Sequence, residues 1–100
     1  MVQMTETQPG QYQVQGQIDF DTVLDLKTAG DEAIILHRQV CFDLASVTSA
    51  KSVILALVLH WMRSAKTNKT TMTLKNIPSN IQQIIPLMGL EEMMQGIVEH

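Results

Sequence analysis

The stretch VCFDLASVTSAKSVILALVLHWMRSA, Val40 to Ala65, joins a short apolar strand to a helix more apolar than one small core requires. Val40, Cys41 and Phe42 suit a buried strand, placed over Val40 to Leu44, with a Ser/Thr-rich connection after it. From Ser52 an uninterrupted apolar run, Val53 to Leu59, opens a helix placed from about Ser52 to Thr67. Strand, polar turn and helix meet at one point. In α/β folds the crevice outside the carboxyl end of a strand is where ligands and partners dock.

Working outward from that junction, Tyr12, Val14, Gly16 and Ile18 alternate with four glutamines, the period of a half-buried strand over Gln11 to Ile18. Asp19 and Asp21 offer N-caps for a helix from about Thr22 to Ile34, in which Val23, Leu26, Ala29, Ala33 and Ile34 recur at helical spacing and Gly30 is a weak point. Beyond the apolar helix, Thr70 to Leu74 reads as a strand. Pro78, Ser79 and Asn80 open a further helix with Ile81, Ile84, Ile85 and Met88 inward; Pro86 strains it and Gly89 closes it. The tail LEEMMQGIVEH suits one short helix from Leu90 to Gln95. Residues 1–10 read as a flexible lead-in or, in part, an edge strand, ahead of a single domain over residues 11–100. The order of strands and helices, with two helical crossovers, specifies an α/β fold: a small mixed sheet of about four strands with helices mainly on one face.

At 100° per residue, the long helix divides into two faces. Ile54, Leu55, Val58, Leu59, Trp61, Met62 and Ala65 form the expected core face. Ser52, Val53, Ala56, Leu57, His60, Arg63 and Ser64 form the other, which presents apolar side chains where a solvated helix would carry Glu, Lys or Gln. An apolar centre with a polar rim is the anatomy of a protein interface. The expected partner contacts are Ser52, Val53, Ala56, Leu57 and His60, with Lys51 and Arg63 at the rim and Lys27 added from the exposed side of the first helix. Ser46, Thr48, Ser49 and Ser52 read as helix-capping hydroxyls or, alternatively, as a phosphorylation or hydroxyl-contact site.

Other chemistry finds little support. Ten acidic against seven basic residues give a net charge of −3, and no basic stripe or aromatic interleaving stands ready to grip phosphates, so nucleic acid is not an expected partner. His37, His60 and His100 lie far apart, with no HxxxH, CxxC or DxD spacing, so neither a metal nor a cofactor is expected. No nucleophile stands beside a base, and the glycines are too scattered for a phosphate loop; the chain reads as a non-enzyme. The single cysteine, Cys41, fits a buried small hydrophobe in a reducing compartment. No run reaches the length of a membrane span, which points to a cytoplasmic protein without direct membrane insertion.

The segment DLASVTSAKSVILALVLHWMRSAK resembles the signature of STAS domains, in which a strand ending D-L-S-x-V leads through a short loop to D-[ST]-[SG]-G-L and an apolar helix. TMTLKNIP resembles the family's next strand and turn, and IIPLMGLEEMM its closing L-x-x-x-G-L pattern, so the likeness spans about Gln11 to Met94. Within the family, the helix register with Leu55, Ala56, Leu57 and His60 and the strand end Gln15-Gly16-Gln17-Ile18-Asp19 are similar to the small STAS subunit of Mla-type ABC transporters. That resemblance implies an accessory subunit on the cytoplasmic ATPase of a phospholipid-transporting complex that maintains outer-membrane asymmetry in Gram-negative bacteria, peripheral to the inner membrane. The alternative it implies is an anti-sigma-factor antagonist. In those proteins the phosphorylated serine aligns with Val53, which has no hydroxyl; Ser52 keeps the preceding one, and Lys51 replaces the acidic residue. A phosphoswitch is therefore disfavoured, while self-association into a homodimer through the same patch stays open.

Overall fold

A glycine sets the first corner of the sheet. The computed structural model describes residues 2–99; Met1 and His100, the outer ends of the expected lead-in and tail, lie outside the described residues. Strands β1 (Val2–Gln8) and β2 (Gln11–Ile18) form an antiparallel hairpin that turns through Pro9 and Gly10. Gly10 has φ +79°, and a Cβ there would stand 2.6 Å from the Gln39 carbonyl oxygen, so no other residue fits the turn without displacing backbone. Its own carbonyl accepts from Cys41 N–H at 2.8 Å, stitching the hairpin to the next strand. Of the two readings of the lead-in, flexible segment or in part an edge strand, residues 2–8 take the second. The alternation Val2, Met4 facing Gly16, Val14 supplies it with partly buried side chains packed on the core.

Helix α1 (Val23–Leu36) crosses to β3 (Gln39–Ala50), and α2 (Val53–Asn68) crosses to β4 (Thr71–Lys75). Two short helices, α3 (Ser79–Ile84) and α4 (Glu91–Gln95), flank a 3-10 turn at Pro86–Met88 and lead to a two-residue strand, β5 (Val98–Glu99). The sheet order is β1-β2-β3-β4-β5, parallel from β2 onward, which is the mixed α/β architecture expected, with a short fifth strand in addition. The pleat sorts the residues. Tyr12, Phe42 and Leu74 lie in register toward the core, whereas Gln13, Asp43 and Lys75 lie in register on the opposite face, where glutamines and threonines predominate.

Asp19 organises the entry to α1: its carboxylate accepts from the N–H groups of Asp21 (2.9 Å) and Thr22 (3.1 Å). Thr22, rather than either aspartate, takes the N-cap position, and its hydroxyl donates to the Gln17 carbonyl at 2.8 Å. The helix runs unbroken through Gly30. A Cβ at Gly30 would overlap the Trp61 indole, so the glycine is what lets α2 approach α1. Trp61 is in turn stacked on Phe42, with ring centroids 4.3 Å apart and planes 20° from parallel, and its Nε1–H points to the Lys27 carbonyl at 3.4 Å. Helix backbone, indole and strand phenyl form three layers at the centre of the core. Burying one such indole contributes about 4 to 6 kcal/mol.

Two expectations need correction. The strand β3 runs to Ala50, so Ser46, Thr48 and Ser49 are strand residues and cap nothing; Ser46 Oγ instead accepts from Gln13 Nε2 at 2.8 Å. Two register shifts against β2 let β3 continue as a polar strand beyond its apolar half. At the other end of the chain, Pro86 terminates α3 and Met88 turns outward instead of into the core. The one buried polar side chain among the described residues, Thr70, places its hydroxyl 2.8 Å from the Ile34 carbonyl and 2.9 Å from that of His37. It fastens the end of α1 to the start of β4.

Candidate functional site

The carboxyl ends of β2 and β3 are tied together where α2 begins. Lys51 N–H donates to the Ile18 carbonyl at 2.9 Å, and Asn80 Nδ2 donates to the Ala50 carbonyl at 2.9 Å, so the start of α2 is held between the end of β2 and α3. Ser52 occupies the N-cap position with φ −58° and ψ −17°; its side chain is exposed and caps nothing. The backbone there is already helical, since Ile54 and Leu55 N–H groups donate to the Lys51 and Ser52 carbonyls at 3.0 Å each.

From this fixed start the candidate residues separate. Lys51, Ser52, Ala56 and Arg63 are exposed, and Ser52, Ala56 and Arg63 share one outward ridge of α2. Leu57 is not on it. At 3% exposure it belongs to the core, whereas Leu59, expected inward, is only half-buried and joins the ridge. The helix is thus turned by about 30° from its expected setting, because its apolar arc must cover α1 as well as the sheet. Val53 is half-buried and packs against the core, so it is in part a structural residue.

His60 and Lys27 meet across the two helices through a residue the sequence did not single out. His60 Nε2 lies 2.8 and 2.9 Å from the two carboxylate oxygens of Asp31, and Lys27 Nζ lies 3.8 Å from the same carboxylate. The Lys27 to Asp31 half of this cluster has the i,i+4 spacing of a helical ion pair and was readable; the link to His60 depends on helix packing.

A second polar cluster holds the hairpin to the end of α1. His37 Nε2 stands 2.9 Å from the Tyr12 hydroxyl and 3.0 Å from Glu6 Oε2, and Glu6 also accepts from Gly10 N–H at 3.2 Å. The Gly10 N–H, above all, lowers the Glu6 pKa against a smaller opposing effect of desolvation, with Tyr12 and His37 adding to the lowering. Desolvation first, and then the Glu6 carboxylate, raise that of Tyr12. Elsewhere, a cleft of about 490 Å³ lies between α3 and α4, lined by Ile77, Ile85, Met94 and Val98 with Asn76, Gln82 and Glu91 at its polar side. Among the described residues no three His, Cys, Asp or Glu side chains gather as a metal site, and no helix is long and apolar enough to cross a membrane.

The pattern of an N-terminal hairpin and two helical crossovers on a sheet parallel from β2 onward has a family counterpart. The family model described as Mlab, STAS domain matches residues 2–99. The chain belongs to the STAS family. No curated protein matches it. Among solved structures, this STAS domain is similar to the anti-sigma factor antagonist SpoIIAA in its unphosphorylated form, with a TM-score of 0.73 at 15% identity over 100% of this chain and 89% of the other. SpoIIAA of Bacillus in its phosphorylated form matches with a TM-score of 0.69 at 16% identity, over 100% and 92% of the two chains. An anti-sigma factor antagonist from Mycobacterium paratuberculosis matches with a TM-score of 0.72 at 19% identity, over 93% and 80%. At these identities the structures establish the shared fold alone. STAS domains are partner-binding domains.

Proposed function

We propose that this STAS domain is a non-catalytic accessory subunit that binds the cytoplasmic ATPase of a phospholipid-transporting ABC complex and stabilises or regulates it. The observation that carries the reading is the match over residues 2–99 to the family described as Mlab, STAS domain. The surface supports it: Ser52, Ala56 and Arg63 form an exposed ridge on a rigid helix whose start is pinned to two neighbouring elements. Lys51, Val53, His60 and Lys27 border that ridge, with Val53, His60 and Lys27 each partly engaged within the domain. Such a subunit is peripheral to the inner membrane through its complex and contributes to outer-membrane lipid asymmetry in Gram-negative bacteria.

Co-purification tests this. The chain and the ATPase subunit, expressed together, should elute as one complex, and Ala56→Glu should release the ATPase while leaving the domain's melting temperature unchanged. Retention of the complex by that variant would remove the ridge from the interface.

The similar solved structures are anti-sigma-factor antagonists, so the second reading is a signalling domain that binds an anti-sigma kinase. Against it, the position aligned with the phosphorylated serine is Val53, which packs on the core and has no hydroxyl. Intact-mass measurement after incubation with such a kinase separates the readings: a phosphate on Ser52 would favour signalling.

A further inference from the structure

Helix α1 carries an uncovered apolar strip beside the ridge of α2. Leu24 and Ile35 are 68% and 66% exposed, and with Thr28 between them they follow one ridge of α1 that points away from the sheet. The core takes Leu26, Gly30, Ala33 and Ile34 from this helix and needs neither of them. Asp25 and Glu32, both exposed, flank the ridge on the side away from α2, because the α1 residues that meet α2 are Lys27, Gly30 and Asp31.

On α2 the charge is reversed. Its outward ridge of Ala56 and Arg63 is bordered by the half-buried Leu59 and by Lys66, on the side away from His60, which faces α1. The helix contains no Asp or Glu. Glu32, Arg63 and Lys66 form no ion pair among the described residues, although they stand on neighbouring helices. The α1 half of the layer thus ends in exposed acid and the α2 half in exposed base, while Lys27, Asp31 and His60 offset one another at the seam.

We infer that this layer pairs with a second copy of the chain about a two-fold axis along the seam, so that α1 of each copy covers α2 of the other. A two-fold contact requires a self-complementary surface, and acid and base in exchanged order supply one. An acidic protein or an anionic membrane would be repelled by the α1 half, and a basic surface by the α2 half. A second copy satisfies both halves at once. Gly30 lies against Trp61 and Asp31 against His60, which sets Glu32 level with Arg63. Rotation about the seam keeps that level, bringing Glu32 of one copy against Arg63 of the other and Leu24 over Ser52 and Ala56. The face is about 24 Å long and two helices wide, less than a standard interface, so the dimer is weak. The inference goes beyond the transporter reading: the dimer is the form of the free chain, and a partner that takes the outer side of α2 displaces the second copy.

Sedimentation equilibrium of the purified chain at low salt tests this. The average mass should rise from that of one chain toward that of two between about 5 and about 500 µM protein. Arg63→Glu and Glu32→Arg each set like charges together and should raise the dissociation constant by roughly tenfold or more. Their equimolar mixture should nevertheless dimerise as the wild type does, since each variant then offers the other the opposite charge at both contacts. Leu24→Glu, which puts a charge into the apolar contact, should weaken the dimer comparably, and Lys75→Glu, on the opposite face of the sheet, should leave it unchanged. All these positions are exposed, so the melting temperatures of the monomers should match. A chain monomeric throughout, a dimer indifferent to both charge reversals, or a mixture no more dimeric than its components overturns the inference. No ATPase is present in these measurements, so each of those outcomes leaves the transporter reading to its own co-purification test.

Discussion

The two sides of α2 obey opposite rules. Toward the core, Leu57, Val58 and Trp61 are fitted between the sheet and α1 so closely that residue 30 has to be glycine. Toward solvent, Ser52, Ala56 and Arg63 are exposed, and Arg63 and Lys66 form no ion pair among the described residues. On the proposed reading of α2 as the docking helix, a change on the inner side acts on stability and reaches binding only through unfolding, whereas a change on the outer side acts on binding and leaves stability alone. The two faces of the helix, one buried and one exposed, lie half a turn apart.

The sharpest way to break that division is at its tightest contact. Trp61→Ala should cost about 3 to 5 kcal/mol in chemical denaturation. Gly30→Ala gains about 1 kcal/mol of helix propensity but drives a methyl into the indole, for a net loss of about 1 to 3 kcal/mol. A neutral or stabilising Gly30→Ala would show that the helices are less closely set than described.

A smaller but more discriminating pair is Leu57→Ala and Leu59→Ala. The first should cost about 2 to 5 kcal/mol and the second roughly 1 kcal/mol, and equal costs would contradict the rotation of α2. On the outer side, Ala56→Glu should change stability by less than about 0.5 kcal/mol while abolishing partner binding in a pull-down. Val53→Asp is a poorer probe, since the loss of its core packing and of any partner contact would be read together.

The smallest effect is expected far from α2, at Glu6. Its folded pKa is lowered, chiefly by the Gly10 N–H, so its contribution to stability is present above the unfolded value, near 4.5, and disappears as pH falls through the lower folded value. The melting temperature of Glu6→Gln should accordingly lie below that of the wild type at neutral pH and converge with it in acid. A difference that persists unchanged below that range would mean that the glutamate side chain acts by packing.

Most of the sheet and both crossover helices were legible because their signals are local. The alternation of Gln and apolar residues in β2, the apolar run of α2 and the turn at Pro78 each lie within a few residues of sequence. β1 was only half legible, since a strand of mostly exposed Thr, Gln and Glu becomes a strand by pairing with β2. The polar half of β3 was missed for the same reason: backbone pairing with β2 outweighed a composition that reads as loop. In the candidate site, the exposure of Ser52, Ala56 and Arg63 followed from helical periodicity, while Leu57 was misplaced because periodicity defines an arc without saying how many neighbours it must cover.

By itself, then, the sequence determined the α/β order of elements, the family resemblance and the surplus apolar helix, all of which follow from patterns read along the chain. Tertiary structure alone decided which side of that helix faces out, that Gly30 admits Trp61, and that His60 answers Asp31. Each of these depends on how two elements distant in sequence are set against each other. That setting is chosen by packing over the whole core, which no local pattern encodes.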